Sequence, residues 1–217
     1  MHSDNDLKKA VLDELSWEPG INAAHIGVSA HAGVVTLTGH VDTFAQKLCA
    51  EKATSRVKGV KAMAEEIEVK LPYDFVRSDE DIAAASIERL SWNSTIPTDA
   101  IQVRVANGWV TLTGTVVWNF EKEAAEADIQ TLSGVIGVSN NIMLNPTVNA
   151  SNVKDDIERA FRRSWYYDPN TINVVVHGGA IELSGEVSTW NARQLAGSAA
   201  WSAPGATSIK NDITVRS

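Results

Sequence analysis

The sequence predicts an α+β protein of three tandem αββαβ units, each a small three-stranded sheet covered by two helices. A glycine-bounded segment at residues 33–39 recurs at 108–114 and 179–185, with spacings of 75 and then 71 residues. Apolar residues alternate with a period of two through each segment and follow a helical period on either side. Self-similarity of this kind indicates one folding unit that is used three times.

The matched positions extend over whole units and predict the domain boundaries. Isoleucine and valine recur at equivalent places on both sides of the glycine segment. We therefore expect domains at residues 1–71, 78–146 and 151–217. The linkers lie near residues 70–77 and 145–152, and each of them contains a proline.

The first helix of a unit is clearest in the third unit, where one apolar stripe follows a helical period. Its members are Val153, Ile157, Ala160 and Phe161. Ser151 or Asn152 can cap the start of this helix. In the other two units Trp17 and Trp92 stand where the helix ends, and we interpret them as capping the core.

A β-hairpin follows the first helix in each unit. Its predicted two-residue turns are 32–33, 107–108 and 178–179, since Asn-Gly and Gly-Gly pairs supply the positive φ that such turns need. Six glycines are interpreted as structural, in the turns and within the second strand: Gly33, Gly108, Gly179, Gly39, Gly114 and Gly185. Because a glycine inside a strand weakens it unless something approaches closely, we expect a helix backbone to pack against the last three.

A second helix and a third strand complete each unit. The helix is predicted over residues 43–57, 119–132 and 190–203, and a glycine follows it each time. The last strand then alternates apolar and polar residues. Asn140 and Asn211 fall on inward-facing positions of that strand, so we interpret them as core residues that hydrogen-bond to nearby backbone.

The composition excludes several classes of protein. A net charge of −8 argues against nucleic-acid binding, which needs a basic surface. No stretch approaches the roughly 18 consecutive apolar residues of a transmembrane segment. Cys49 is the single cysteine, so no intrachain disulfide is expected. The polar start has no signal-peptide pattern, which predicts a cytoplasmic location, or a periplasmic one if an export signal was removed.

The sequence contains no recognised catalytic motif, so we expect neither enzyme activity nor a cofactor. It lacks the glycine-rich phosphate loops, the nucleophile elbow and the paired histidine motif of metalloproteases. His25 and His40 are predicted to be cross-strand neighbours. Natural metal sites use three or four ligands, and no third ligand presents itself, so we expect no bound metal.

The strongest candidate contact residues are arginines followed by aromatic side chains in the third unit, a combination that suits a membrane interface. They are Arg159, Arg162, Arg163, Trp165, Tyr166 and Tyr167. The net charge is −3 for residues 1–75, −5 for 76–148 and 0 for 149–217. Contact with anionic lipid should therefore run through the third unit. The alternative is that these aromatics cap the core at the end of the helix.

Four other side chains are candidates for contact with a lipid or a partner. Lys47, Lys122 and Arg193 share one position early in the second helix. They suit head-group or carboxylate contacts, and a solvated helix face is the alternative. Trp109 falls on the outward face of its hairpin, which indicates an interface with another unit or with a partner.

The repeated pattern resembles the BON domain, named for bacterial osmotically inducible and nodulation proteins. The clearest copy spans residues 101–116, followed by Gly134, Asn140 and Ile142. The resemblance covers nearly the whole chain, three times. The first unit departs from the pattern with Glu65 in place of the asparagine. The third has Ala203 and Ala206 near Gly205, where the other units have larger residues.

The resemblance implies a binding module that attaches to phospholipid surfaces or envelope components. Several members of this family are periplasmic, stress-induced or linked to the envelope, and osmotic stress is the implied setting. A protein-interaction or chaperone-like adaptor is the alternative, which the overall acidity favours. The expected partner is therefore a phospholipid surface or an envelope protein, and not a nucleic acid.

Overall fold

The computed structural model describes residues 3–145, 153–163 and 171–216. It contains three separate three-stranded sheets, each with two helices, in the order that the sequence predicts. The α+β fold class and the threefold repetition are confirmed. The three repeats are described in turn below.

The first repeat consists of α1 (Asp4–Trp17), β1 (Ile26–His31), β2 (Val34–Val41), α2 (Phe44–Arg56) and β3 (Ala62–Val69). The sheet order is β1-β2-β3, with β1 antiparallel to β2. Ser3 caps α1, because its side chain accepts a hydrogen bond from the Asp6 N–H at 3.2 Å. Such a cap satisfies one of the backbone donors that a helix start leaves free.

The second repeat consists of α3 (Asp79–Trp92), β4 (Ile101–Ala106), β5 (Trp109–Val116), α4 (Asn119–Gln130) and β6 (Gly137–Leu144). The central strand β5 is antiparallel to β4 and parallel to β6. Ser78 caps α3 as Ser3 caps α1, with the Asp81 N–H as the donor at 3.1 Å.

The third repeat consists of α5 (Val153–Arg162), β7 (Ile172–His177), β8 (Ala180–Val187), α6 (Trp190–Trp201) and β9 (Ser208–Val215). Its sheet has the same order and the same strand directions as the second. The cap predicted at Ser151 or Asn152 lies outside the described residues.

The hairpin turns fall where the sequence places them. Asn107 and Gly108 have φ values of 51° and 76°, and Ala32 and Gly33 have 50° and 87°. The third turn has a positive φ at Gly178 (62°) alone of its two residues. Asn-Gly therefore satisfies the turn geometry directly, whereas Ala32 holds a conformation that is uncommon for a residue with a Cβ.

The expectation that a helix packs against the three strand glycines is wrong. Gly114 has a φ of 139°, and a Cβ placed there would overlap the carbonyl oxygen of Ala100, the residue that precedes the paired strand β4. The same overlap occurs between Gly39 and His25, and between Gly185 and Thr171. The glycine is therefore needed because two strands approach closely at the end of their pairing, and not because a helix lies above it.

A carboxylate joins the first helix to the hairpin turn in two repeats. Asp79, the first residue of α3, accepts hydrogen bonds from the N–H groups of Asn107 and Gly108, both at 2.8 Å. Asp4 accepts one from the Ala32 N–H at 2.9 Å. These bonds fix the turn against the helix start, where the helix dipole also favours a negative charge.

Each core lies between one face of the sheet and the two helices. On the central strands, the pairs Val35 and Leu37, Val110 and Leu112, and Ile181 and Leu183 are at most 1% exposed. Alanines of the second helices pack closely over these strands, and Phe161 of α5 is the largest fully buried side chain among the described residues. Of the linkers, residues 70–77 include a short 3-10 helix (Tyr73–Phe75), while residues 146–152 lie outside the described ranges.

Candidate functional site

The arginines of α5 lie on an exposed surface and are paired with acids of the same helix. The side chains of Arg159 and Arg162 are 62% and 72% exposed. Arg159 forms an ion pair with Asp156, and Arg162 lies 3.9 Å from a carboxylate oxygen of Glu158. Exposed pairs of this kind contribute little to stability, so they open readily when a stronger anionic surface is offered.

The aromatic half of this predicted site cannot be placed beside the arginines. Arg163 directly follows the last residue of α5 and is exposed. Trp165, Tyr166 and Tyr167 lie outside the described residues. The joint basic and aromatic contact therefore stays a prediction.

The recurring cations of the second helices are engaged within their own repeats. The Lys122 ammonium donates to the Ile142 carbonyl at 2.8 Å. The Arg193 guanidinium donates to the carbonyls of Ile213, at 2.9 Å, and Asn211. It also lies 4.8 Å from the centre of the Trp190 ring. These two side chains hold a helix to the third strand, which neither of the two sequence interpretations anticipated.

The inward asparagines add hydrogen bonds between the same helix and the same strand. We call this set of bonds, made by the cation and the asparagine together, the clasp. Asn140 donates from its amide nitrogen to the Lys122 carbonyl at 2.9 Å, and its amide oxygen accepts from the Ile142 N–H at 3.3 Å. Asn211 makes the same pair of bonds with Arg193 and Ile213. The expected hydrogen bonds of both asparagines to nearby backbone are confirmed, although the two residues are half-buried at the margin of the core rather than within it.

The first repeat carries a variant of this arrangement. Glu65 stands in the place of the asparagine, and its carboxylate accepts from the Ile67 N–H at 2.5 Å. A carboxylate keeps the acceptor half of the clasp and cannot supply the amide donor. Lys47, the third of the recurring cations, is half-buried on α2.

Trp109 lies on the outer face of the second sheet and is held there by its neighbours. Its ring lies across Gly137 of β6, and its indole N–H donates to the Ser139 hydroxyl at 2.9 Å. The residue is 47% exposed. A half-exposed ring fixed in one orientation is suited to contact with a flat surface or a partner.

The interpretation of Trp17 and Trp92 as core caps is wrong. They are 86% and 81% exposed. In the first helix the core stripe runs through Leu7, Val11 and Leu15, and a residue two places further points about 200° away from it at 100° per residue. The phase of the apolar stripe could have predicted this exposure.

The two histidines are neighbours, as the sequence predicts. The rings of His25 and His40 stack with centroids 4.7 Å apart and planes 15° apart. In the part of the chain that the structure describes, no group of three or more His, Cys, Asp or Glu residues could hold a metal ion.

Two further cations form close ion pairs. Arg56 on α2 bridges Glu14 on α1 and Glu18, the residue that follows α1, with N–O distances of 2.9 and 2.8 Å. The hydrogen bonds that Arg56 donates to these carboxylates, to Glu18 foremost, raise the pKa of Arg56 above its usual value. Lys210 pairs with Asp212 at 2.8 Å, and this hydrogen bond raises the pKa of its ammonium.

Within residues 3–145, 153–163 and 171–216, no helix has the length and apolar character to cross a bilayer.

Comparison with known proteins identifies a family profile that matches all three repeats and a relative that matches part of the chain. The profile of the BON domain matches residues 3–70, 78–146 and 149–217. Osmotically-inducible protein Y of Escherichia coli (strain K12) is 27% identical over 140 residues, which cover 63% of this chain and 68% of that protein.

Two solved structures also match at low similarity. They are of CdsD, described as a structural protein of the type III secretion system of Chlamydia trachomatis, one of them its C-terminal domain. They are 14% and 15% identical to this chain and cover 97% and 99% of it, and 92% and 100% of their own lengths. Their TM-scores of 0.26 and 0.27 are too low to indicate a shared overall fold.

Proposed function

The chain belongs to the BON domain family, and on that premise we propose that it is a non-enzymatic module that binds phospholipid surfaces at the cell envelope. The name of its relative, osmotically-inducible protein Y, supports a link to osmotic stress. The proposal concerns attachment to the membrane surface, through side chains that lie in the interface.

The proposal rests on the exposed residues at the C-terminal ends of the first helices. Trp17, Trp92 and Arg163 occupy equivalent positions of the three repeats, and all three are exposed. Exposed tryptophan is costly in water and favourable at a membrane interface, where its ring is buried and its N–H stays hydrated. A cation at the same place suits the phosphate layer of anionic lipids.

The net charges of the three repeats favour the third as the part of the chain that first contacts an anionic membrane. Residues 1–75 carry −3 and residues 76–148 carry −5, whereas residues 149–217 are neutral. An anionic surface therefore repels the first two repeats and leaves the arginines of α5 as the electrostatic approach. Arg159, Arg162 and Arg163 are the residues that we assign to it, with Trp165, Tyr166 and Tyr167 following in sequence.

Replacing Arg159, Arg162 and Arg163 with alanine should weaken binding to phosphatidylglycerol vesicles by about tenfold. Each basic residue near an anionic surface contributes about 1 kcal/mol, and the acids of α5 offset part of that attraction. Co-sedimentation with vesicles over a lipid titration measures the change. Circular dichroism and a thermal melt establish that the variant remains folded.

A matched control removes the same charge from another repeat. Lys8, Lys9 and Lys58 are exposed in the first repeat, and their replacement with alanine also lowers the net charge by three. This variant should bind nearly as well as the parent, since only local charges are felt within a Debye length of about 8 Å at physiological salt. Equal losses in the two variants would remove α5 from the binding site.

Binding of a protein partner is the second candidate function. It is favoured by an apolar cleft on the second repeat, where Ile87 of α3 is 63% exposed. A large exposed aliphatic side chain beside a cleft is a common mark of a protein-binding surface.

A further inference from the structure

The second repeat carries an open apolar cleft between α3 and the strand β4. Its volume is about 140 Å³. It is lined by Ile87, Leu90, Ile96, Pro97, Ile101 and Val103, together with the polar residues Ser91, Thr98 and Asp99. An apolar cavity of about 150 Å³ accommodates a molecule the size of benzene, so this cleft has room for one aliphatic side chain.

The cleft lies beside a strand edge that has no partner in its sheet. The strand order is β4-β5-β6, which makes β4 an edge strand. Ala106 and Trp109 flank the two-residue turn and therefore form a hydrogen-bonded pair. Ala106 and every second residue before it in β4 direct their backbone N–H and C=O groups toward β5. Ile101, Val103 and Val105 then direct their N–H and C=O groups to the free edge, and two of these three also line the cleft.

The side chains at the equivalent positions of the first repeat are more buried than those that line the cleft. Ile26 and Val28, the equivalents of Ile101 and Val103, are only 6% and 8% exposed. Leu12, the equivalent of Ile87, is half-buried rather than exposed. These residues of the first repeat therefore leave no counterpart of the open cleft that the second repeat carries.

The charges around the cleft indicate which charge a bound polypeptide segment should carry. Asp99 lines the cleft, is exposed and makes no ion pair among the described residues. The exposed cation of β4, Arg104, alternates with Val103 and Val105 and so lies on the opposite face of the sheet, away from the cleft. Residues 76–148 as a whole carry −5. A cationic segment is therefore attracted to this edge, and an acidic one is repelled.

We propose that β4 accepts an extended segment of a partner polypeptide as an additional strand, with an aliphatic side chain in the cleft and a lysine or arginine beside Asp99. Backbone hydrogen bonds along the free edge of β4 would provide the affinity, and the cleft and carboxylate would provide the selectivity. This inference goes beyond the proposed attachment to lipid and uses a different surface of the chain.

The probe is a fluorescently labelled eight-residue peptide of threonine that carries one valine and, two positions away, one lysine, so that both side chains lie on the face of the added strand that meets the cleft and Asp99. Its affinity for the full chain is measured by fluorescence anisotropy at low salt. A peptide with glutamate in place of the lysine is the charge control and should bind at least tenfold more weakly. Amide NMR should show that the bound peptide protects the N–H groups of Val103 and Val105 from exchange with solvent.

Two variants of the protein test the cleft and the carboxylate separately. Ile87→Lys should weaken binding of the lysine and valine peptide at least tenfold, because it places a cation over the cleft. Asp99→Asn should weaken it about threefold at low salt and less as salt rises. Met143→Lys is the matched control, since Met143 is 67% exposed on the outer face of the same sheet, and it should leave the affinity unchanged.

Several results would overturn the proposal. They are no binding of the peptide up to about 1 mM, equal losses for Ile87→Lys and Met143→Lys, or binding without protection of β4. Dimerisation of the chain that Ile87→Lys abolishes would assign the edge to a second copy instead. Because Ile87 and Asp99 lie outside the lipid site proposed on α5, both variants should still bind vesicles, and failure of one proposal leaves the other standing.

Discussion

Replacing Gly114 with valine is expected to lower the free energy of unfolding by about 3 kcal/mol or more. At a φ of 139°, a β-branched residue is strained whatever space surrounds it, and such conformations cost about 1–3 kcal/mol. A Cβ would also overlap the carbonyl oxygen of Ala100, and overpacking typically costs a further 1–3 kcal/mol. Backbone atoms cannot turn away as the end of a flexible side chain can, so the two strands would have to separate.

Urea denaturation of the parent and the variant measures this loss. Thr113→Val is the matched control, because Thr113 is the preceding residue of β5 and is exposed. It introduces the same side chain and should change stability by no more than about 0.5 kcal/mol. An unchanged midpoint for Gly114→Val would show that the strands do not approach each other here as the structure indicates.

Replacing Asn140 with alanine should lower the stability of the second repeat by about 2 kcal/mol. The side chain donates to the Lys122 carbonyl and to the Glu126 carboxylate, and it accepts from the Ile142 N–H. Each intramolecular hydrogen bond contributes about 1 kcal/mol, and half-buried partners left without one add a desolvation cost.

The neighbouring residue provides the control for this second substitution. Asn141 has the same chemistry on the same strand but is exposed on the opposite face. Asn141→Ala should therefore cost less than about 0.5 kcal/mol in the same denaturation experiment. Equal losses from the two substitutions would contradict a role for the clasp between α4 and β6.

The parts of the fold that were predictable from sequence depend on local chemistry. Asn107 and Gly108 form the expected turn because only a few residue types tolerate positive φ at both turn positions. The role of Gly114 was not predictable, since it depends on which residue the paired strand brings beside it. Helical phase places Trp17 and Trp92 on the surface, whereas their residue type alone favours burial.

Contacts between elements distant in sequence account for the rest. The bond from Lys122 to the Ile142 carbonyl joins residues 20 positions apart, and periodicity cannot reveal a helix side chain that meets a strand carbonyl. The cleft beside β4 combines α3, the loop that follows it and the strand. Its openness depends on the packing of Ile87, which the apolar pattern alone does not distinguish from that of Leu12.

The proposed attachment to phospholipid is tested most directly by co-sedimentation of the full parent chain with phosphatidylglycerol and phosphatidylcholine vesicles. We predict that it pellets with the phosphatidylglycerol vesicles at low salt and much less with phosphatidylcholine. Binding should weaken as salt rises, since the Debye length falls from about 30 Å at 0.01 M to about 8 Å at 0.15 M ionic strength. Absence of binding to both kinds of vesicle at low salt would contradict the proposed function.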